Sequence, residues 1–204
     1  IEMAQAFYKD VKGRLARYGR GPGDVKIMPG LSVTVAETEA EARARADELQ
    51  ELIHPDHGRA YLSARLGHDV TGMDPDQPLP DLEGVDDVGT RSGQMLAMAK
   101  NEKWTLRQLY QHFAATRGHM VLVGTPSMVA DAMQYWFENG ACDGFNLIPP
   151  MFPDDFESFV DLVVPELQHR GIYRKAYEGD TLRERLGLSV PASRYADTDV
   201  FVAE

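Results

Sequence analysis

Apolar residues recur at four-residue spacing over the opening stretch, at Met3, Phe7, Val11 and Leu15, and predict an amphipathic helix ending near Gly19. Val25 to Met28 reads as a strand stopped by Pro29-Gly30, and the alternation of Leu31-Ser32-Val33-Thr34-Val35 extends it. Thr38-x-x-Glu41 is a capping box, in which hydroxyl and carboxylate each satisfy a free backbone N–H of the other. Ala42, Ala46, Leu49 and Ile53 share one face of the helix behind it, which closes before Pro55. From about 54 to 103 the periodicity dissolves. Pro75, Pro78 and Pro80 stand close together, and Asp69, Asp74, Asp76, Asp81, Glu83, Asp86 and Asp87 make the stretch acidic. An irregular excursion of that length is either a lid or a solvated loop.

Order resumes at a second capping box, Thr105-x-x-Gln108, with Leu106, Leu109, Tyr110 and Phe113 on one face and Gly118 as the stop. The apolar run His119 to Val123 is too brief to assign. Thr125-Pro126 is an N-cap followed by proline at the first helical position, and the helix it starts buries Val129, Met133 and Trp136 before Asn139-Gly140. Phe145 to Ile148 reads as a buried strand cut off by Pro149-Pro150. Asp154 and Asp155 begin a further helix with Phe156, Phe159, Val160 and Val163 inward and a kink at Pro165. Thr181-x-x-Glu184 caps the last one.

Strands alternating with helices predict parallel β/α units. Two assignable strands bury too little to stand alone, and Ile1 falls inside a helical pattern, so the expectation is a part of a larger α/β architecture. Composition narrows the function. With 32 acidic against 21 basic residues among 204, the net charge of −11 opposes a nucleic-acid surface. No apolar run reaches the ~20 residues of a membrane span, and no signal peptide is visible. The single cysteine, Cys142, favours a reducing compartment, hence a cytoplasmic protein.

The residues carry few marks of chemistry. His54-x-x-His57 is interrupted by Pro55 and reads as surface histidines, so no metal is expected. Cys142 reads as a packed thiol. Arg91-Ser92-Gly93 is a plain turn or a guanidinium and hydroxyl offered to a phosphate. His68 has the unperturbed pKa suited to proton transfer, or is simply exposed.

Several strings taken together resemble one family. Val25-Lys26-Ile27-Met28-Pro29-Gly30-Leu31, Val123-Gly124-Thr125-Pro126, Gly140-Ala141-Cys142-Asp143-Gly144-Phe145-Asn146-Leu147, Val164-Pro165-Glu166-Leu167-Gln168 and Tyr177-Glu178-Gly179-x-Thr181-Leu182-Arg183-Glu184 are similar, in this order, to the luciferase-like flavin-dependent monooxygenases. The resemblance is to the subgroup of nitrilotriacetate monooxygenase component A, dibenzothiophene-sulfone monooxygenase and pristinamycin IIA synthase. It spans nearly the whole chain.

The resemblance implies an α/β fold: the C-terminal portion of a (β/α)₈ TIM barrel, with residues 1–204 supplying strands 7 (Val25 to Val35) and 8 (Gly144 to Ile148) and a loop-rich insertion at about 54–103. It implies reduced FMN as cofactor, O₂ and a separate flavin reductase as partners, a small organic substrate, and a homodimer when complete. Barrel sites lie at the C-terminal ends of strands. Applied to the resemblance, that rule points to Pro29, Gly30 and Leu31 after strand 7 and to Asn146, Leu147 and Ile148 after strand 8. His68 and Met73 of the insertion are candidates to reach the substrate, His68 as the catalytic candidate, and Arg91 and Ser92 are candidates for the cofactor. Two alternatives stand beside this: a non-catalytic acidic interaction module derived from such an enzyme, and a deazaflavin-dependent oxidoreductase of the same superfamily.

Overall fold

Gly30–Val35 forms β1, the middle of a three-stranded parallel sheet of order β2-β1-β3, where β2 is Met120–Gly124 and β3 is Asn146–Leu147. Leu31 lies opposite Met120 and Val35 opposite Gly124, while Gly30 and Leu31 lie opposite Asn146 and Leu147. Leu31, Val33 and Val35 are buried, and so are Ser32 and Thr34 between them, because a middle parallel strand is covered on both faces. The computed structural model describes residues 1–80, 82, 91–116 and 118–193, apart from the side chains of 91, 94, 115 and 116. Two compact units result: Pro29–Asp131 with Asn146–Glu166, which holds the sheet, and Ile1–Met28 with Ala132–Phe145 and Leu167–Glu204.

Two expectations about strands are corrected here. Of the run left unassigned, Met120 to Val123 belongs to a strand, so the described residues contain three strands rather than two. The first expected strand also begins at Gly30 instead of Val25. The reason is local: the Ile27 N–H donates to the Asp143 carboxylate and the Ile27 carbonyl accepts from the Asp143 N–H, so Ile27 has no backbone group left for the ladder. In a barrel of consecutive neighbours β2 would stand between β1 and β3; here β1 holds that place.

In the sheet-bearing unit α2 (Glu39–Glu51) lies against β1 and β2. The segment 54–103 is not irregular throughout. It contains α3 (Pro55–Leu66) and α4 (Arg91–Glu102), which with α5 (Leu106–Thr116) enclose a core of Leu62, Leu66, Met95, Leu96, Leu109 and Tyr110. Pro55 closes one helix and opens the next: it sits at the first position of α3, whose N-cap is His54, with Nδ1 accepting from the Asp56 N–H at 3.3 Å. Gly58 of α3 lies so close to Tyr110 that an added Cβ would collide with the ring atom Cδ2. Arg91-Ser92-Gly93 is the first turn of α4, not a loop turn. The loop before it caps α5: the Pro75 and Gln77 carbonyls accept from the Arg107 and Leu106 N–H groups at 2.7 and 3.0 Å, and Arg107 grips Asp76 at 2.7 and 3.1 Å. Of the acidic run, Asp81, Glu83, Asp86 and Asp87 lie outside the described residues.

After β3 the chain forms α7 (Asp154–Ser158), a π-helical turn over Phe159–Val163 and α8 (Val164–His169). Pro165 has no N–H for the regular ladder, and the wider π-helical turn ends two residues before it, at Val163. Phe159 and Val163 are buried as expected, whereas Phe156 and Val160 are exposed.

The second unit begins with α1 (Glu2–Arg14). Its apolar stripe faces solvent more than expected: Met3 is 73% and Phe7 59% exposed, and Leu15 is the buried member. What fixes α1 is polar. Lys12 Nζ is 2.8 Å from Asp143 and also donates to the Pro22 and Val25 carbonyls at 2.7 and 2.6 Å, while the Tyr8 hydroxyl donates to Asp143 at 2.9 Å. The chain passes between units within α6 (Pro126–Glu138) and within α8. The four-residue α9 (Leu182–Arg185) carries the expected Thr181 box. Among the described residues no helix is long and apolar enough to cross a membrane.

Candidate functional site

Pairing of β1 with β3 brings six of the expected pocket residues together. Gly30 and Leu31 lie beside Asn146 and Leu147, the Asn146 N–H donates to the Pro29 carbonyl at 2.9 Å, and the Ile148 N–H donates to the Leu31 carbonyl at 2.8 Å. Gly30 is required here by crowding, since a Cβ would collide with the His119 ring and come within 2.8 Å of Ile148 Cδ1. His119, just ahead of β2, was not singled out by sequence; no spacing rule marks a histidine whose importance is its contact with a glycine far away in sequence.

Pro29, Gly30 and Leu31 were expected to follow their strand; instead Gly30 and Leu31 begin it and Pro29 directly precedes it. The C-terminal end of β1 is Val35, next to Gly124 and Thr125 at the end of β2. Thr125 caps α6 there, its hydroxyl accepting from the Met128 N–H at 3.4 Å.

The insertion candidates sit in the helical layer. His68 is half-buried directly after Gly67, the left-handed residue that ends α3. Met73 packs on the α3–α5 core, and its carbonyl accepts from Arg59 Nη1 at 3.1 Å. Among the described residues no hydrogen bond joins either to the strand residues. Ser92 Oγ donates to the Arg65 carbonyl at 2.7 Å, and the Arg91 side chain lies outside the described residues. Ser92 thus gives its one proton to the protein.

Two carboxylates that sequence reasoning read as ordinary are electrostatically unusual. Burial would raise the Asp143 carboxyl, but Lys12, the Ile27 N–H and the Tyr8 hydroxyl outweigh it and hold it below the usual range. Burial, followed by the bond to Asp143, pushes the Tyr8 phenol up. Asp155 of α7 is almost wholly buried; Oδ2 accepts from the Met151 N–H at 2.9 Å, and Oδ1 faces Arg45 at 3.3 Å without a hydrogen bond. Burial raises its carboxyl, with the Met151 N–H and Arg45 opposing. Cys142 is buried, and burial pushes its thiol up, the environment of a packed thiol rather than a nucleophile. The His54 and His57 rings meet edge-on at 5.8 Å. No group of three metal-binding side chains occurs among the described residues.

A parallel sheet with helices packed beside it, carrying the strings noted in the sequence, defines an α/β protein of the luciferase-like type. The family model for luciferase-like monooxygenases matches residues 1–143, and the chain belongs to that family. It is 46% identical over 199 residues to N-acetyl-S-(2-succino)cysteine monooxygenase of Bacillus subtilis (strain 168), covering 96% of this chain and 45% of that protein. It is 45% identical over 194 residues to nitrilotriacetate monooxygenase component A of Aminobacter aminovorans, covering 94% and 43%. A riboflavin lyase crystallised with modified FMN and riboflavin superimposes with a TM-score of 0.70 at 28% identity, covering 95% of this chain and 42% of the other. The chain therefore spans less than half the length of these relatives.

Proposed function

We propose that the chain is the C-terminal portion of a luciferase-like (β/α)₈ barrel and that the whole protein is a flavin-dependent monooxygenase using reduced FMN, delivered by a separate reductase, and O₂. The observation that carries this reading is the family match over residues 1–143. The partial coverage of each relative supports the placement within a longer barrel, which closes only when all its strands pair. The flavin, when bound, supplies the oxygen-activating chemistry. The phosphate-holding residues would belong to the part of the relatives' length that this chain does not span, in keeping with the use of Ser92 inside α4.

The role of this chain would be to wall the substrate and keep water out, with Asn146, Leu147 and Ile148 on the barrel side and the 54–103 helices as cover. The substrate class follows from the relatives: N-acetyl-S-(2-succino)cysteine and nitrilotriacetate are both small polycarboxylates centred on sulfur or nitrogen, and we assign this protein a substrate of that kind. The test joins this chain to the preceding half of nitrilotriacetate monooxygenase component A and measures reduced-FMN binding and O₂ uptake with a flavin reductase. Substrate-stimulated uptake with nitrilotriacetate or the succinocysteine is expected. A folded chimera that does not bind reduced FMN would sink the reading.

A further inference from the structure

Where the loop through Pro78 and Leu79 meets the end of α4, the sheet-bearing unit holds a partly open pocket of about 300 Å³. Its walls include Leu79, Leu96 and Ala99, the Trp104 indole forms part of its lining, and Lys100 and Lys103 bring the charge. Lys103 is the unusual member. It is the one described non-glycine residue with positive φ, at 54°, and occupies the left-handed position directly after α4, where glycine is the ordinary choice. The Trp104 N–H donates to the Ala99 carbonyl at 2.9 Å across it. The chain thus keeps a long cationic side chain where backbone strain favours its removal, an outlier of the kind that points to function. Among the described residues the Lys103 ammonium has no hydrogen-bond or ion-pair partner. The Asp76 carboxylate on the same loop is taken by Arg107.

We propose that this cavity binds a small aliphatic carboxylate, its hydrocarbon lying along Leu79, Leu96 and Trp104 and its carboxylate paired with Lys103. The volume is at the low end for small-molecule sites. The walls suit an apolar body with one anionic head; a polycarboxylate would leave further charges unpaired among apolar side chains. The inference is independent of the oxygenase reading and survives its failure.

The test uses the full chain carrying Trp136→Phe, which leaves Trp104 as the sole indole, with octanoate, octanol and octylamine as probes. A saturable change in Trp104 emission with octanoate, weaker with octanol and absent with octylamine, is expected. Lys103→Gly keeps the left-handed backbone without strain, so it should fold at least as well. It should weaken octanoate roughly tenfold and leave octanol unchanged. Ala99→Leu, which fills the cavity from a buried position, should weaken both. Equal binding of octanoate and octanol, no loss in Lys103→Gly, or no saturable response would each overturn the proposal.

Discussion

Gly58 and Tyr110 are in such close contact that the α3 backbone rests on the face of the phenol ring, and α3 approaches α5 at a distance only glycine permits. Tyr110 is fully buried, and its hydroxyl accepts from Arg107 Nη1 at 3.1 Å, so the ring cannot readily swing aside. Gly58→Ala gains about 1 kcal/mol of helix propensity, but overpacking costs about 1–3 kcal/mol. The net expectation is destabilisation, read as a lower urea midpoint. A more stable variant would show that the ring yields.

Asp143 ties α1 to the strand-like stretch through Ile27, and its acidity makes that tie pH-dependent. Its folded pKa lies below its unfolded value, so the stabilisation is present above about pH 4 and is lost as pH falls through the folded pKa. Asp143→Asn is expected to lower stability by about 2 kcal/mol at neutral pH. The difference from the parent should shrink in urea melts near pH 3. A difference constant with pH would mean the charge plays no part.

Arg45 and Asp155 give the opposite sign. The folded pKa of Asp155 lies above its unfolded value, so its contribution is fully present below about pH 4 and is lost as pH rises through the folded pKa. Removing Arg45 takes away the cation that faces it among the described residues and raises that pKa further. Arg45→Met should therefore destabilise by about 2 kcal/mol at pH 7 and by less near pH 4. Denaturation across that range decides it, and an equal loss at both ends would place the effect in packing.

The Thr38 box is a local device. Its hydroxyl accepts from the Glu41 N–H at 3.2 Å, and Glu41 returns a carboxylate to the Thr38 N–H at 3.2 Å. Thr38→Ala should cost about 1 kcal/mol and Thr38→Ser nearly nothing. Calorimetric melting of the two variants separates loss of the cap from loss of the methyl group.

Signals written within a few residues of one another were readable. The Thr38, Thr105 and Thr181 boxes, Pro126 at the first turn of α6 and the buried face of α5 all occur where their side-chain chemistry requires. Features decided by distant partners were not. The stripe Met3–Phe7 has helical spacing, yet α1 is fixed instead by Lys12 and Tyr8 on Asp143. Pro55 was read as a break because a proline before a helix and one after it look alike. β2 has only five residues, and its identity as a strand comes from the ladder with β1. Of the candidate pocket, the contact of β1 with β3 was foreseen; the position of Pro29–Leu31 at the strand's start was not, since the pairing of Ile27 with Asp143 spans 116 positions.

That long reach has a consequence for synthesis. At ribosomal speeds of about 5–20 residues per second, α1 emerges on the order of ten seconds before the carboxylate 131 positions downstream of Lys12 that holds it. During that interval its apolar stripe has no native anchor. The helix α1 is thus secured only well after it has been made, when the chain has grown as far as Asp143.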